Sequence, residues 1–203
     1  MLRPLQSPQV STERLTLRPY DVSDAEDWFA IESVSEINHF MKWPNRDRRT
    51  SLKHLRDRTR HTELSQVDDF LALAVVLDGR VIGDVSLRLR AVGDENRNVE
   101  VAWIVHPDYS GRGYATEAAS ALLDLAFDDL GARWATAFID PSNVRSIAVA
   151  ERLGLRGIPL DDDTIAFLGS PAVRKAHAGR SARVARQQRR TTRELNRRSR
   201  RRG

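Results

Sequence analysis

One stretch restricts the fold of this chain more than any other. An apolar run, Val99–Val105, passes through His106-Pro107-Asp108-Tyr109-Ser110-Gly111-Arg112-Gly113. Tyr114-Ala115 then opens a helix that Gly131 closes at its far end. A strand that feeds a helix through so short a turn demands layers, because the helix must fold back over the sheet that its strand joins. Two glycines two residues apart let the backbone come close to a ligand. The unpaired N–H groups of the first helical turn, and the helix dipole, then favour an anion, phosphate above all. Two familiar nucleotide loops are excluded. A Walker A loop needs Lys-Ser/Thr after its last glycine, where this chain has Tyr114-Ala115. A dinucleotide fingerprint needs a third glycine, where this chain has Thr116. A glycine turn that only shapes a helix start is the competing reading of the spacing alone.

The flanking segments alternate in the same way. Leu15 and Leu17 alternate with Thr16 and Arg18, the period of a half-buried strand. Ser23 is a plausible N-cap with Glu26 three residues on, and Trp28, Phe29, Ile31 and Val34 supply a helical apolar face. His39–Pro44 reads as a loop with apolar anchors, and Ser51–Leu64 as a polar helix. Phe70–Leu77 and Val81–Leu89 are strands joined by the hairpin pair Asp78-Gly79. Trp134–Ile139 is a further strand, and Val144–Leu153 a helix ended by Gly154. The order predicts a mixed α/β sheet, of the α+β kind.

Charge divides the chain. Residues 170–203 hold 13 Lys and Arg against the single acid Glu194, a net +12. The preceding 169 residues hold 20 bases and 27 acids, so the overall +5 describes neither part. The absence of cysteine excludes a disulfide scaffold, a Cys-ligated metal site and a cysteine nucleophile. Residues 1–10 carry two prolines and no apolar run, so they read as a flexible leader and not as a signal peptide. No apolar stretch approaches the roughly 20 residues of a membrane helix. A cytoplasmic protein with no membrane partner is expected, and the histidines show no metal-ligand spacing.

Tyr109-Ser110-Gly111-Arg112-Gly113-Tyr114-Ala115-Thr116-Glu117-Ala118 resembles the acetyl-CoA loop of the GNAT family of N-acetyltransferases, Gln/Arg-x-x-Gly-x-Gly/Ala. Gly113 and Ala115 match its last two positions; Ser110 departs from the first. That departure removes a side chain and keeps the backbone donors. Asn143-Val144-Arg145-Ser146, continuing to Glu151-Arg152-Leu153-Gly154-Leu155, resembles the family's second block. Thr12-Glu13-Arg14-Leu15-Thr16-Leu17-Arg18, Val81-Ile82-Gly83 and Glu100 add to the likeness. Together they resemble the subgroup that acetylates ribosomal-protein N-termini, over residues 11–156.

The resemblance implies the acyl-CoA N-acyltransferase (GNAT) fold and transfer of acetyl from acetyl-CoA to a primary amine by direct attack. The amine is a protein N-terminus or a small molecule; no metal takes part, and the protein is a monomer or homodimer. Gly111, Arg112, Gly113, Tyr114, Ala115 and Thr116 would hold the pyrophosphate, and Asn143 would contact CoA. The strands Val99–Val105 and Trp134–Ile139 would splay around pantetheine, with an exposed N–H near Ile104 or Val105 polarising the thioester carbonyl. Glu100 is the candidate base and Ser146 the candidate proton donor to the thiolate. A solvated strand-end charge and a small first-turn residue are their plain alternatives, as an N-cap is for Asn143. Trp43 is the candidate acceptor-pocket residue. The acidic body mildly favours a cationic acceptor.

After residue 156 no strand pair is recognisable, so the fold is expected to be incomplete on its C-terminal side. Residues 157–203 read as an atypical segment ending in a basic, disordered tail. The tail could bind nucleic acid, which gives the alternative function: a nucleic-acid- or ribosome-associated protein with a degenerate body. It could also be inert, or a product of a shifted reading frame beyond residue 156.

Overall fold

The structure, a computed structural model, describes residues 4–174 and 176. Its elements run in the order β1 (Leu5–Gln6), β2 (Val10–Ser11), β3 (Thr16–Pro19), α1 (Ala25–Glu32), α2 (Ser35–Met41), α3 (Arg48–Arg58) and β4 (Glu63–Leu64). There follow β5 (Phe70–Leu77), β6 (Arg80–Ala91), β7 (Asn98–Val105), α4 (Tyr114–Asp124), β8 (Trp134–Ile139), α5 (Val144–Arg152), β9 (Arg156–Asp161) and β10 (Thr164–Gly169). Eight strands form one sheet in the order β2-β3-β5-β6-β7-β8-β10-β9, and β1 pairs with β4 separately. Every pairing in the large sheet is antiparallel except β7 with β8, the pair joined through α4. The mixed α/β expectation holds.

The sheet is covered on both faces. One face packs Leu15, Leu87, Val99, Val101 and Trp103 against α4 and α5, through Ala118, Leu122, Leu123 and Val149. The other packs Ala72, Ala74 and Ile104 against α1–α3, through Trp28, Ile31 and Leu55. β5, read as Phe-Leu-Ala-Leu-Ala-Val-Val-Leu, is buried at six consecutive positions, which explains why its apolar run is continuous. Among the described residues no helix is long and apolar enough to cross a membrane.

Four sequence expectations change. The C-terminal side is not missing its strands: β10 inserts between β8 and β9 and completes the sheet. β9 went unseen because it is an edge strand exposed at all six positions, so no face imposes a period, and Pro159 is tolerated there. β10 contributes Phe167, 4% exposed, to the core. Residues 1–10 are not wholly a loose leader, because Leu5 pairs with Leu64 and Val10 with Leu17. The first helical region is capped by Asp21, whose carboxylate accepts from the Ser23 N–H at 2.8 Å, and not by Ser23. Finally, α2 takes in residues 39–41 of the expected loop, and α3 starts at the Asp47 cap and ends at Arg58, with β4 lying where the helix was expected to continue.

The basic segment begins on the body. Arg174 bonds the Asp124 carboxylate and, at 2.8 Å, the Ser120 hydroxyl on α4. The rest of the arginine-rich tail, with the nucleic-acid reading placed on it, lies outside the described residues.

Candidate acetyl-CoA slot and acceptor pocket

β7 and β8 pair only over Asn98–Glu100 and Trp134–Thr136. Beyond Glu100 they diverge, while β7 stays in register with β6 as far as Val105 opposite Gly83. The fork so formed is a slot of about 170 Å³ between Val101–Val105 on one side and Ala137–Ile139 on the other. Ser110 and Ala115 border it at the glycine turn, Asn143 and Ser146 border it from α5, and Phe40 and Met41 from α2.

The edge of β7 that faces the slot carries backbone donors. The His106 N–H donates to Ile82 O at 2.8 Å. Bonded pairs alternate along an antiparallel ladder, so Ile104, opposite Asp84, turns its N–H to β6. Trp103 and Val105 turn theirs to the edge that β8 has left. The sequence expectation named Ile104 or Val105; the ladder favours Val105 and adds Trp103. Gly83 permits this close seam, since a Cβ there would stand 2.2 Å from Ile104 O.

At the slot's rim Gly111 and Gly113 have φ of +74° and +83°, a region that side chains disfavour. Gly113 is the N-cap of α4 and offers no side-chain acceptor to the first turn. The first intrahelical bond from that turn is Glu117 N–H to Gly113 O, at 3.0 Å. The N–H groups of Tyr114, Ala115 and Thr116 therefore point out of the helix end, an arrangement that suits a phosphate. Arg112 is exposed in the turn. Its carbonyl accepts from the Arg14 guanidinium at 2.9 Å.

Arg14, which the motif reading did not single out, braces this turn. It bonds Glu117 through its Nε at 2.7 Å and lies 4.5 Å over the Tyr114 ring. Burial would raise the Glu117 pKa. Bonds from the Thr12 hydroxyl and from the Arg14 backbone and side chain outweigh it and hold the pKa below the usual carboxylate range. This clamp fixes the loop that carries the donors. A second bridge, Arg145 to Glu36 at 3.1 Å, links α5 to α2 beside the slot.

On α5 the Asn143 side chain accepts from the Ser146 N–H at 3.1 Å, so Asn143 caps the helix as well as bordering the slot. The Ser146 hydroxyl has no protein partner among the described residues.

A second cavity, of about 660 Å³, opens on the α1–α3 face of the sheet. Met41, Val101 and Ala102 border both cavities, so the two meet at the crotch of the fork. Glu100 and Trp43 border the second one. Glu100 is the last β7 residue in register with β8. Its carboxylate accepts from Arg90 at 2.6 and 2.9 Å, and Arg90 also holds Asp68 at 2.7 Å. Trp43 packs edge-on against Trp28 and His54, at 5.8 and 5.5 Å between ring centroids.

The floor is charged and buried. Arg58, 4% exposed, bonds Asp84, 1% exposed, and the Tyr20 hydroxyl donates to the same carboxylate at 3.0 Å. Burial, with the Asp84 charge beside it, pushes the Tyr20 phenol well above its ordinary value. Burial would lower the Arg58 pKa, but the charge and hydrogen bond of Asp84, together with Tyr20, outweigh it and leave the pKa raised. Neighbouring Glu32 has a fully buried side chain held by Arg46 at 2.7 Å and by His54 at 2.6 Å. None of these partners is close in sequence, so no spacing pattern could have found them. Among the described residues no three His, Asp or Glu side chains converge as a metal site.

The profile of the acetyltransferase (GNAT) domain matches residues 14–156, and the chain belongs to that family. It is an acetyltransferase. It is 25% identical over 149 residues to the uncharacterized N-acetyltransferase YnaD of Bacillus subtilis (strain 168), covering 72% of this chain and 82% of that one. Its fold is similar to a GNAT-family acetyltransferase of Bacillus anthracis, with a TM-score of 0.67 and 20% identity over 80% of this chain and 98% of that one. It is also similar to the microcin C7 self-immunity acetyltransferase MccE, a structure in complex with acetyl-CoA and AMP. There the TM-score is 0.63 and the identity 18%, over 78% of this chain and 93% of that one.

Proposed function

We propose that the protein transfers acetyl from acetyl-CoA to a primary amine by direct attack, at the junction of the two cavities. The observation that carries this is the fork. A narrow slot has phosphate-type donors at its rim and free strand N–H groups along its wall, and it opens at Ala102 into a wide second cavity. A thread-like ligand with an anionic head fits the first, and an acceptor fits the second. The backbone around Gly111–Thr116, with Arg112, holds the pyrophosphate. The Val105 N–H meets the pantetheine chain, and the Trp103 N–H meets the thioester carbonyl and stabilises the oxyanion. Asn143 caps α5 and borders the pantetheine.

The amine nitrogen uses its lone pair to form the new C–N bond while the C–S bond breaks. Glu100, oriented by its bonds from Arg90, takes the proton that the amine must lose. The Ser146 hydroxyl gives a proton to the leaving thiolate and is restored from solvent. Trp43 forms an apolar wall of the acceptor cavity. The experiment is a thiol-release assay with acetyl-CoA over small amines and N-terminal peptides, beside calorimetric titration with acetyl-CoA. Saturable acetyl-CoA binding and amine-dependent thiol release are expected. No acetyl-CoA binding to the folded chain would overturn the reading.

A further inference from the structure

Inside the acceptor cavity one half-buried arginine, Arg88, has no carboxylate partner among the described residues. Six carboxylates border the cavity, and each is already held. Asp84 is taken by Arg58, Glu100 and Asp68 by Arg90, Asp57 by His61, and Glu63 by Gln6. Asp69 accepts the Ser65 and Gln66 N–H groups at 2.7 and 2.9 Å. Those bonds hold its pKa down against the raising effect of burial. Arg88 differs. It is half-buried on β6 directly opposite Glu100, and no carboxylate pairs with it among the described residues. Its guanidinium lies 5.1 Å over the ring of Phe70, the residue across from it on β5. The ring orients the planar fork and cannot neutralise it. Arg58, stacked 5.5 Å from the same ring, adds a buried Nε with no partner. Arg60 adds a further unpaired cation at the exposed rim.

We infer that the acceptor is a small amine that also carries an oxyanion, carboxylate or phosphate, and that Arg88 binds this anion. The inference rests on the acetyltransferase reading of the same site and narrows its substrate class. Planar guanidinium groups pair two-pronged with such oxyacids. Arg88 lies three positions from Trp103 in the strand register, roughly 10 Å along the sheet. Amine and anion in the acceptor are therefore separated by a short spacer that the arginine side chain helps to bridge. The choice runs against the net negative charge of the body, which favours a cationic acceptor. Local geometry carries the choice: the acids nearest Arg88 on the sheet, Asp84 and Glu100, are each ion-paired to another arginine, and the Arg88 guanidinium is left to an incoming oxyanion.

The test uses the full chain and primary amines in matched sets, with a methyl, carboxylate or phosphonate end and spacers of one to five carbons. Thiol release gives kcat and KM for each, and calorimetry gives the acetyl-CoA affinity. The expected result is a preference of about tenfold or more in kcat/KM for an anionic member over its neutral partner. Arg88→Gln should erase that preference through KM, Arg88→Lys should restore part of it, and both variants should bind acetyl-CoA like the parent. The better of the carboxylate and phosphonate arms identifies the oxyacid. Neutral amines equal to anionic ones, or an Arg88→Gln variant that keeps the preference, would overturn the inference. So would turnover of N-terminal peptides alone, which leaves the transferase reading standing. Failure to bind acetyl-CoA overturns the transferase reading itself.

Discussion

The slot and the acceptor cavity touch at Met41, Val101 and Ala102, yet they are made of different material. The slot's donors are backbone: the free edge of β7 and the first turn of α4, which two glycines with positive φ lead into. The acceptor cavity is largely side chain: arginines, carboxylates and aromatic rings drawn from α2, α3, β5, β6 and β7. A backbone site binds whatever has the right shape and charge, and its geometry is set by secondary structure. A side-chain site takes its selectivity from which charges are paired and which are left over. One half can stay constant while the other is rebuilt for a new acceptor.

The sharpest way to break this contrast is Asp84→Ala. It strands the buried Arg58 charge and should cost about 3–5 kcal/mol, read as a fall in thermal midpoint and in urea resistance. A loss under about 1 kcal/mol would mean that water already neutralises the floor.

Gly113→Glu attacks the other half, forcing a side chain into a positive φ and a carboxylate into the anion site. Acetyl-CoA affinity should fall roughly 100-fold, about 2.8 kcal/mol, with the circular-dichroism spectrum unchanged. Glu100→Gln should lower kcat by about 100-fold while the acetyl-CoA dissociation constant moves little, and Ser146→Ala should do less. Equal damage to binding in Glu100→Gln would place that carboxylate on the slot side of the boundary.

The smallest expected effect concerns the clamp. Arg14→Ala should weaken acetyl-CoA only a few-fold, since exposed ion pairs contribute about 1 kcal/mol or less. The pH dependence has a definite sign. The folded-state pKa of Glu117 lies below its ordinary value. Its stabilisation is thus complete above the usual carboxylate range and fades as pH falls through the lowered value. Wild-type affinity should drop there, and Glu117→Gln should flatten that limb of the titration.

What was legible in the chain follows the same division. The strand–glycine–helix turn is local, so Gly111, Gly113 and the first turn of α4 could be read from neighbours in sequence. Asn143 and Ser146 were legible for the same reason, being three residues apart at a helix start. Trp43 could be named for the acceptor side and Glu100 as a candidate base, but their partners His54 and Arg90 could not. β9 escaped notice because an edge strand with both faces in water needs no alternation. The Arg14 clamp escaped because 103 residues separate it from Glu117.

By itself the sequence determined the alternation of strands and helices, the glycine turn into α4 and the family. Each of these rests on contacts within one element or between chain neighbours, where residue type and spacing fix the physics. The tertiary structure alone decided where β7 and β8 part, which N–H groups of β7 stay free and which cavity arginine is left without a carboxylate partner. Those outcomes depend on pairings between distant segments, and a charge is left over only after every other partner has been placed.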